Sequence, residues 1–213
     1  MTATSGLSRR SLLRGALGAA ASRLVLPAAV GTAIGGLPAM AAWAGEDPAR
    51  PGSRLDRMVS LVDPVIHLVN AHTKEEAQGR FFTATGYDMA VVERLNWIWR
   101  DWRDNEAPQI DPRLFWAVAV VRASAMKEGH NGQVTLLSGF RTKKTTQLLR
   151  SQGVNAALDS QHMKARAVDM RLAGIPASRI SGFVEWLQVG GTGHYPGSNF
   201  THADSGSLRK WRG

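Results

Sequence analysis

The stretch Ser160-Gln161-His162-Met163-Lys164-Ala165-Arg166-Ala167-Val168-Asp169-Met170-Arg171-Leu172 changes character halfway along. Its second half alternates: Val168, Met170 and Leu172 are apolar, Asp169 and Arg171 polar, the period-2 pattern of a strand with one buried face. Asp169 therefore projects away from its apolar neighbours. The first half carries His162, in what reads as the loop leading into the strand. A second run, Phe200-Thr201-His202-Ala203-Asp204, has the same look. If these strands are neighbours, Asp169 and His202 face one cleft and His162 reaches it from the loop.

Outward from this centre the pattern alternates between short strands and helices. Gln133 to Leu137 reads as a strand, Lys144 to Ser151 as a short helix, and Pro176 to Gln188 as a helix ended by Gly190-Gly191, with a further strand near Gly193-Tyr195. Asp111-Pro112 is a helix start, Asp capping free N–H groups and Pro pre-set for the first turn. That helix runs through Leu114, Val118, Val121 and Ala125 to Gly129. Val91, Leu95, Ile98 and Trp102 recur at helical steps and predict another helix over 88–102. Val65 to Val69 and Gly79 to Thr83 form a candidate hairpin. Trp97, Trp99, Trp102 and Trp116 read as core rather than as a sugar-stacking platform. The fold class is α+β: a small, mostly antiparallel sheet with N-terminal helices packed around it.

Three segments divide the chain. Residues 1–44 contain Ser8-Arg9-Arg10-Ser11-Leu12-Leu13-Arg14, a twin-arginine export pattern, then an Ala/Gly/Leu stretch with small-x-small cleavage sites at Ala39-Met40-Ala41 and Ala42-Trp43-Ala44. The uncharged run from Leu24 to Ala44 has the length of a membrane span, but Pro27, Gly31, Gly35, Gly36 and Pro38 make a poor membrane helix, so no stable span is expected in the mature form. Residues 45–60, rich in Pro, Gly and charge, read as a flexible lead-in rather than core. Residues 61–213 make one catalytic domain. The implied partner of the leader is the twin-arginine translocation machinery, and the implied compartment the periplasm.

Without the four leader arginines the net charge falls from +9 to +5. That suits an anionic polymer such as peptidoglycan, and there is no basic run with interleaved aromatics to indicate nucleic acid. The chain has no cysteine. Thiol nucleophiles, disulfides, Cys-bound zinc and lipoprotein anchoring are all excluded. Of six histidines, His162, His194 and His202 fall in the last quarter, among carboxylates. Zinc takes about four His or carboxylate ligands and leaves one position to water in a catalytic site, which three protein ligands would satisfy. By spacing alone, metal ligation competes with ordinary buried or surface hydrogen-bonding roles.

Four segments in order settle that competition: Ser138-Gly139-Phe140-Arg141, Ser160 to Asp169, Gly190-Gly191-Thr192-Gly193-His194-Tyr195-Pro196, and Asn199 to Gly206. Together they resemble the murein endopeptidase K family, zinc peptidases related to D-Ala-D-Ala dipeptidases, lysostaphin-type enzymes and the hedgehog fold. Stretches similar to His72-Thr73, Leu95-Asn96-Trp97, Arg100 to Arg103 and Ile110 to Leu114 extend the likeness over about 68–211. The resemblance implies a single zinc ion on His162, Asp169 and His202, a zinc cleft on the sheet, and hydrolysis of peptide cross-links in peptidoglycan, including those between two diaminopimelate residues. It implies that Arg141 holds the substrate carbonyl as charge develops.

The proton acceptor is left open. The slots that hold Glu or His in relatives are Asn199 and Phe200 here, and neither titrates. Asp204, about 6–7 Å from His202 along a strand, is either the base or a partner orienting the His202 ring. His194, where relatives have Tyr, is structural, or binds substrate or shuttles protons. Other departures are Ala165 for a family Gly, Met170 for Phe, Thr145-Thr146 for Thr-Asn, and an altered loop from Gly153 to Asp159. The rival readings are a D-Ala carboxypeptidase and a non-catalytic peptidoglycan-binding protein of the same fold.

Overall fold

Aspartates fix where the two central helices begin. A computed structural model describes residues 52–154 and 156–213, so the predicted leader and the lead-in up to residue 51 lie outside the described residues. Helix α1 is Arg54–Met58, α2 is Met89–Ile98, α3 Pro112–Lys127, α4 Lys143–Ser151 and α5 Ala177–Leu187. Asp88 caps α2 through Val91 N, and Asp111 caps α3 through Arg113 N with Pro112 in the first turn. Helix α2 stops four residues short of the expected end. There Asp101 turns the chain, its carboxylate accepting from the backbone of Arg103 at 3.0 Å and of Thr142 at 2.9 Å. The lead-in also differs from expectation: α1 buries Leu55 and Met58 in the core.

Seven strands form the main sheet, more than the small sheet anticipated. They are β1 Val65–Asn70, β2 Glu76–Arg80, β5 Val134–Ser138, β6 Ala167–Leu172, β7 Gly191–Tyr195, β8 Phe200–Asp204 and β9 Arg209–Arg212, in spatial order β2-β1-β5-β6-β8-β7-β9. Two short strands, β3 Phe82–Thr83 and β4 Gly86–Tyr87, pair separately. Pairing is antiparallel except for β1 with β5 and β7 with β9. Strand β9 was not anticipated.

One face of the sheet packs on the helices. Val168, Met170 and Leu172 of β6 join Ile66 and Leu68 of β1 and Ala203 of β8 in a core with Leu114, Val118 and Val121 of α3 and Ile180 and Val184 of α5. Trp99 is fully buried, its ring 5.4 Å from Phe115 and its indole N–H donating to Ala167 O. Trp116 and Trp102 are partly buried. Trp97 departs from the core reading: it is 46% exposed, with the Arg100 guanidinium over its ring. The opposite face of β6, β8 and β7 is left for chemistry. No helix among the described residues is long and apolar enough to cross a membrane.

Candidate metal centre

Strand register places the first two residues. Asp169 of β6 lies directly opposite His202 of β8, and His202 opposite Gly193 of β7, so all three share the face turned away from the helices. His162 sits on a single 3-10 turn, Gln161–Lys164, just before β6. Ser160 Oγ accepts from His162 N at the start of that turn, and Ala165 closes it at φ 57°, a left-handed conformation. A glycine would adopt that backbone without strain, whereas alanine there costs roughly 1 kcal/mol.

The three side chains converge. His162 Nε2 is 3.2 Å from Asp169 Oδ2 and 3.2 Å from His202 Nδ1, and His202 Nδ1 is 2.8 Å from Asp169 Oδ1. Donors on a tetrahedral zinc stand about 3.3 Å apart, from bonds of about 2.0–2.1 Å. The outer nitrogens are committed elsewhere. His162 Nδ1–H donates to Gly139 O at 2.6 Å, and His202 Nε2–H to Asp204 Oδ2 at 2.9 Å. Those bonds fix the tautomers so that both remaining lone pairs aim at the Asp169 carboxylate, an arrangement that calls for a cation between them. The donor set and its spacing fit one zinc ion with a fourth position left over.

The electrostatics favour positive charge at the point where the three side chains meet. Burial pulls His162 below the usual histidine range, keeping it a neutral donor. Burial also works against charge on His202, but hydrogen bonds and charges from Asp169 and Asp204 outweigh it and push the pKa up to about 9. Asp169 is opposed by burial too, yet the two histidines hold it well below the ordinary carboxylate range. It is an anion at any working pH.

Asp204 is fully buried behind His202. Its Oδ1 accepts from Gly191 N at 3.1 Å, Gly206 N at 2.9 Å and Arg209 at 3.1 Å, while Oδ2 accepts from Arg209 at 2.7 Å besides His202. Five donors occupy its two oxygens, and it does not line the cleft. The glycines of β7 make this possible. A Cβ on Gly191 would stand 2.4 Å from Asp204 Oδ2, and one on Gly193 2.7 Å from the Trp211 ring. With no side chains there, Arg209 and Trp211 of β9 reach across β7, and the Trp211 ring lies 5.0 Å from that of His202.

The cleft over this centre encloses about 680 Å³ and is lined by Arg141, Asp159, Gln161, Tyr195, Phe200 and Trp211 among others. Arg141 follows β5 and is tied to the metal turn by Arg141 N donating to His162 O at 3.2 Å. Burial lowers its pKa while Asp169 and Tyr195 raise it, and it keeps its charge. Its Nε is buried with no hydrogen-bond partner among the described residues. The structure thus brings His162, Asp169, His202, Arg141 and Asp204 into one constellation.

His194 is a correction. It pairs with Thr201, one step out of phase with His202, and so points to the opposite face, toward a groove lined by Ser178 and Ser181 of α5. Binding substrate or shuttling protons in the metal cleft is not open to it. The two positions lacking a base are used structurally: Asn199, at φ 47°, accepts from Ala177 N at the start of α5, and Phe200 stacks on Tyr195 at 4.3 Å. Tyr195, Arg209 and Trp211 were missed as site residues. The signal for the latter two is an Arg and a Trp spaced by two, the period of a strand, reaching over a Gly-x-Gly neighbour.

Comparison with known proteins follows the same line. The family model described as peptidoglycan L,D-endopeptidase MepK matches residues 61–211. The chain is 34% identical over 157 residues to a protein of Haemophilus influenzae named probable peptidoglycan L,D-endopeptidase MepK, covering 73% of this chain and 83% of that one. It is 35% identical over 147 residues to the peptidoglycan L,D-endopeptidase MepK of Escherichia coli, covering 69% and 79%. No solved structure matches the chain.

Proposed function

From its place in the peptidoglycan L,D-endopeptidase MepK family, to which this chain belongs, we infer a murein endopeptidase that hydrolyses peptide cross-links with one zinc ion held by His162, Asp169 and His202. The observation that carries the zinc is the convergence of two imidazole lone pairs and a carboxylate in a cleft, with each outer imidazole nitrogen already bonded. When bound, zinc supplies Lewis acidity and makes hydroxide available near neutral pH.

The chain's own residues do the rest. Asp204 holds the His202 ring and its tautomer, and Gly139 O does the same for His162. Arg141, fixed beside the metal turn, offers a preorganised cation to the carbonyl oxygen as the amide becomes tetrahedral. Trp211 covers His202 and limits water around the centre. Asp204 is the orienting partner rather than the base, because all its lone pairs within reach are taken. Diaminopimelate cross-links are the proposed substrate within murein.

Export is part of the proposal. The Arg9-Arg10 pattern and the apolar run after it support a twin-arginine signal over residues 1–44, with the translocation machinery as transient partner and the periplasm as destination.

The test is digestion of cross-linked muropeptide dimers by the purified protein, with chelator and with zinc restored, products being identified by mass. Dimers should become monomers only with metal. Release of single alanines would make the protein a carboxypeptidase. Intact muropeptides with binding to sacculi would make it a non-catalytic wall protein.

A further inference from the structure

Tyr195 stands in the metal cleft with its hydroxyl half used. Its oxygen accepts from Trp211 Nε1 at 2.9 Å, so the hydroxyl's own hydrogen has no acceptor among the described residues. The ring cannot wander: it stacks on Phe200 at 4.3 Å and 10°, and the backbone at Gly213 packs against its edge. By strand alternation Tyr195 shares the face of Gly193, and Phe200 that of His202, which puts both aromatics on the metal side of the sheet.

Position across the site matters as much as direction. In the sheet order β5-β6-β8-β7, Arg141 follows β5 on one flank and Tyr195 ends β7 on the other, with Asp169 and His202 on the two strands between. Both Arg141 and Tyr195 line the cleft over the centre. A carbonyl seated over Asp169 and His202 is thus flanked by a guanidinium on one side and a phenolic O–H on the other.

We propose that Tyr195 is a further catalytic residue, its hydroxyl donating a hydrogen bond to the scissile carbonyl oxygen opposite Arg141 as negative charge develops there. Trp211 is its positioning residue: by filling one lone pair of the phenol oxygen, the indole N–H turns the hydroxyl hydrogen into the cleft. No proton changes hands in this step; the gain lies in a donor placed before the charge appears, which needs no reorganisation at the moment of reaction. The proposal rests on the endopeptidase reading and adds a second donor to it.

Tyr195→Phe keeps the stacked ring and removes only the hydroxyl. Against muropeptide dimers we expect kcat to fall about 100-fold with KM within about twofold, the scale of losing one preorganised oxyanion donor. Trp211→Phe should lower kcat in the same direction by less, about 5- to 10-fold, as the hydroxyl regains freedom. Two binding readouts accompany the kinetics. A phosphinate isostere of the cross-linked dipeptide, tetrahedral with a charged oxygen, should bind Tyr195→Phe more weakly by about the same factor as kcat, while zinc affinity by chelator competition stays at the wild-type value. Unchanged kcat, unchanged phosphinate affinity, or a loss of zinc affinity that accounts for the rate would each overturn the proposal. A wild-type protein that leaves dimers intact overturns the endopeptidase reading itself, and the role of Tyr195 with it.

Discussion

Replacing Asp204 with Asn tests the assignment of the buried carboxylate with the loss of a single charge. In the native protein five N–H groups converge on its two oxygens: Gly191, Gly206 and one Arg209 nitrogen on Oδ1, the other Arg209 nitrogen and His202 Nε2 on Oδ2. Asparagine has one acceptor oxygen. Set toward the three donors at Oδ1, it turns its NH₂ against Arg209 and His202, donor against donor. His202 escapes by shifting its proton to Nδ1, which makes Nε2 an acceptor for the amide. But Nδ1 is the nitrogen aimed at Asp169 and the metal position, so the escape removes a zinc lone pair. Loss of such a partner weakens metal binding by roughly 10- to 100-fold, equivalent to about 1.4–2.7 kcal/mol. Chelator competition measures the affinity, and muropeptide cleavage at rising zinc measures the rate. We expect weakened affinity with most of kcat recovered at saturating zinc. Wild-type zinc affinity together with a thousandfold fall in kcat would refute the reasoning and make Asp204 the base.

Arg141→Ala should lower kcat by about 10²- to 10³-fold without altering zinc affinity, because the Arg141 side chain hydrogen-bonds to none of the three residues and its backbone bond to His162 O survives the change; a matching loss of zinc would refute its role. The chelator-treated protein should lose stability between pH 6.5 and 9: His202 has a folded pKa raised from 6.5 to about 9, so the stabilisation by its proton is complete below 6.5 and gone above 9. The upper bound is on the order of 3 kcal/mol, read as a falling melting temperature over that window, and a rising one would contradict the coupling. Gly193→Ala pushes a methyl into the Trp211 ring, 2.7 Å away; it should cost about 1–3 kcal/mol in thermal unfolding and slow cleavage by displacing Trp211.

What the sequence disclosed and what it hid have the same physical root. Helix α3 was legible because Asp111 caps it with its own side chain ahead of Pro112, and α2 because Val91, Leu95 and Ile98 recur at helical steps. Strands β6 and β8 were legible because their apolar positions alternate, and that alternation also put Asp169 and His202 on one face. Strand β9 was not, since Arg209-Lys210-Trp211-Arg212 buries little and reads as a solvated tail; only its pairing with the bare glycines of β7 makes it structural. His194 looked like a cleft residue because it lies near the other site residues in the chain, and the strand expected near Gly193-Tyr195 carried no register against β8. Once Gly191–Tyr195 is a strand, parity decides, and His194 belongs to the other face. Trp97 misled because helical spacing says which residues share a side, not how wide the buried stripe is.

The pairing of Asp169 with His202 and of His202 with Gly193 makes the centre unforgiving of changes in chain length. One residue inserted or deleted within β6 or β8 inverts the face of everything beyond it in that strand, exchanging Asp169 or His202 at the centre for a core residue in one genetic event. Substitutions can be graded and repaired, whereas such a frame slip abolishes the site outright. Viable length variation is therefore confined to the connections, such as residues 156–159, where chain can be added at the rim of the cleft without disturbing which side chains meet at its floor.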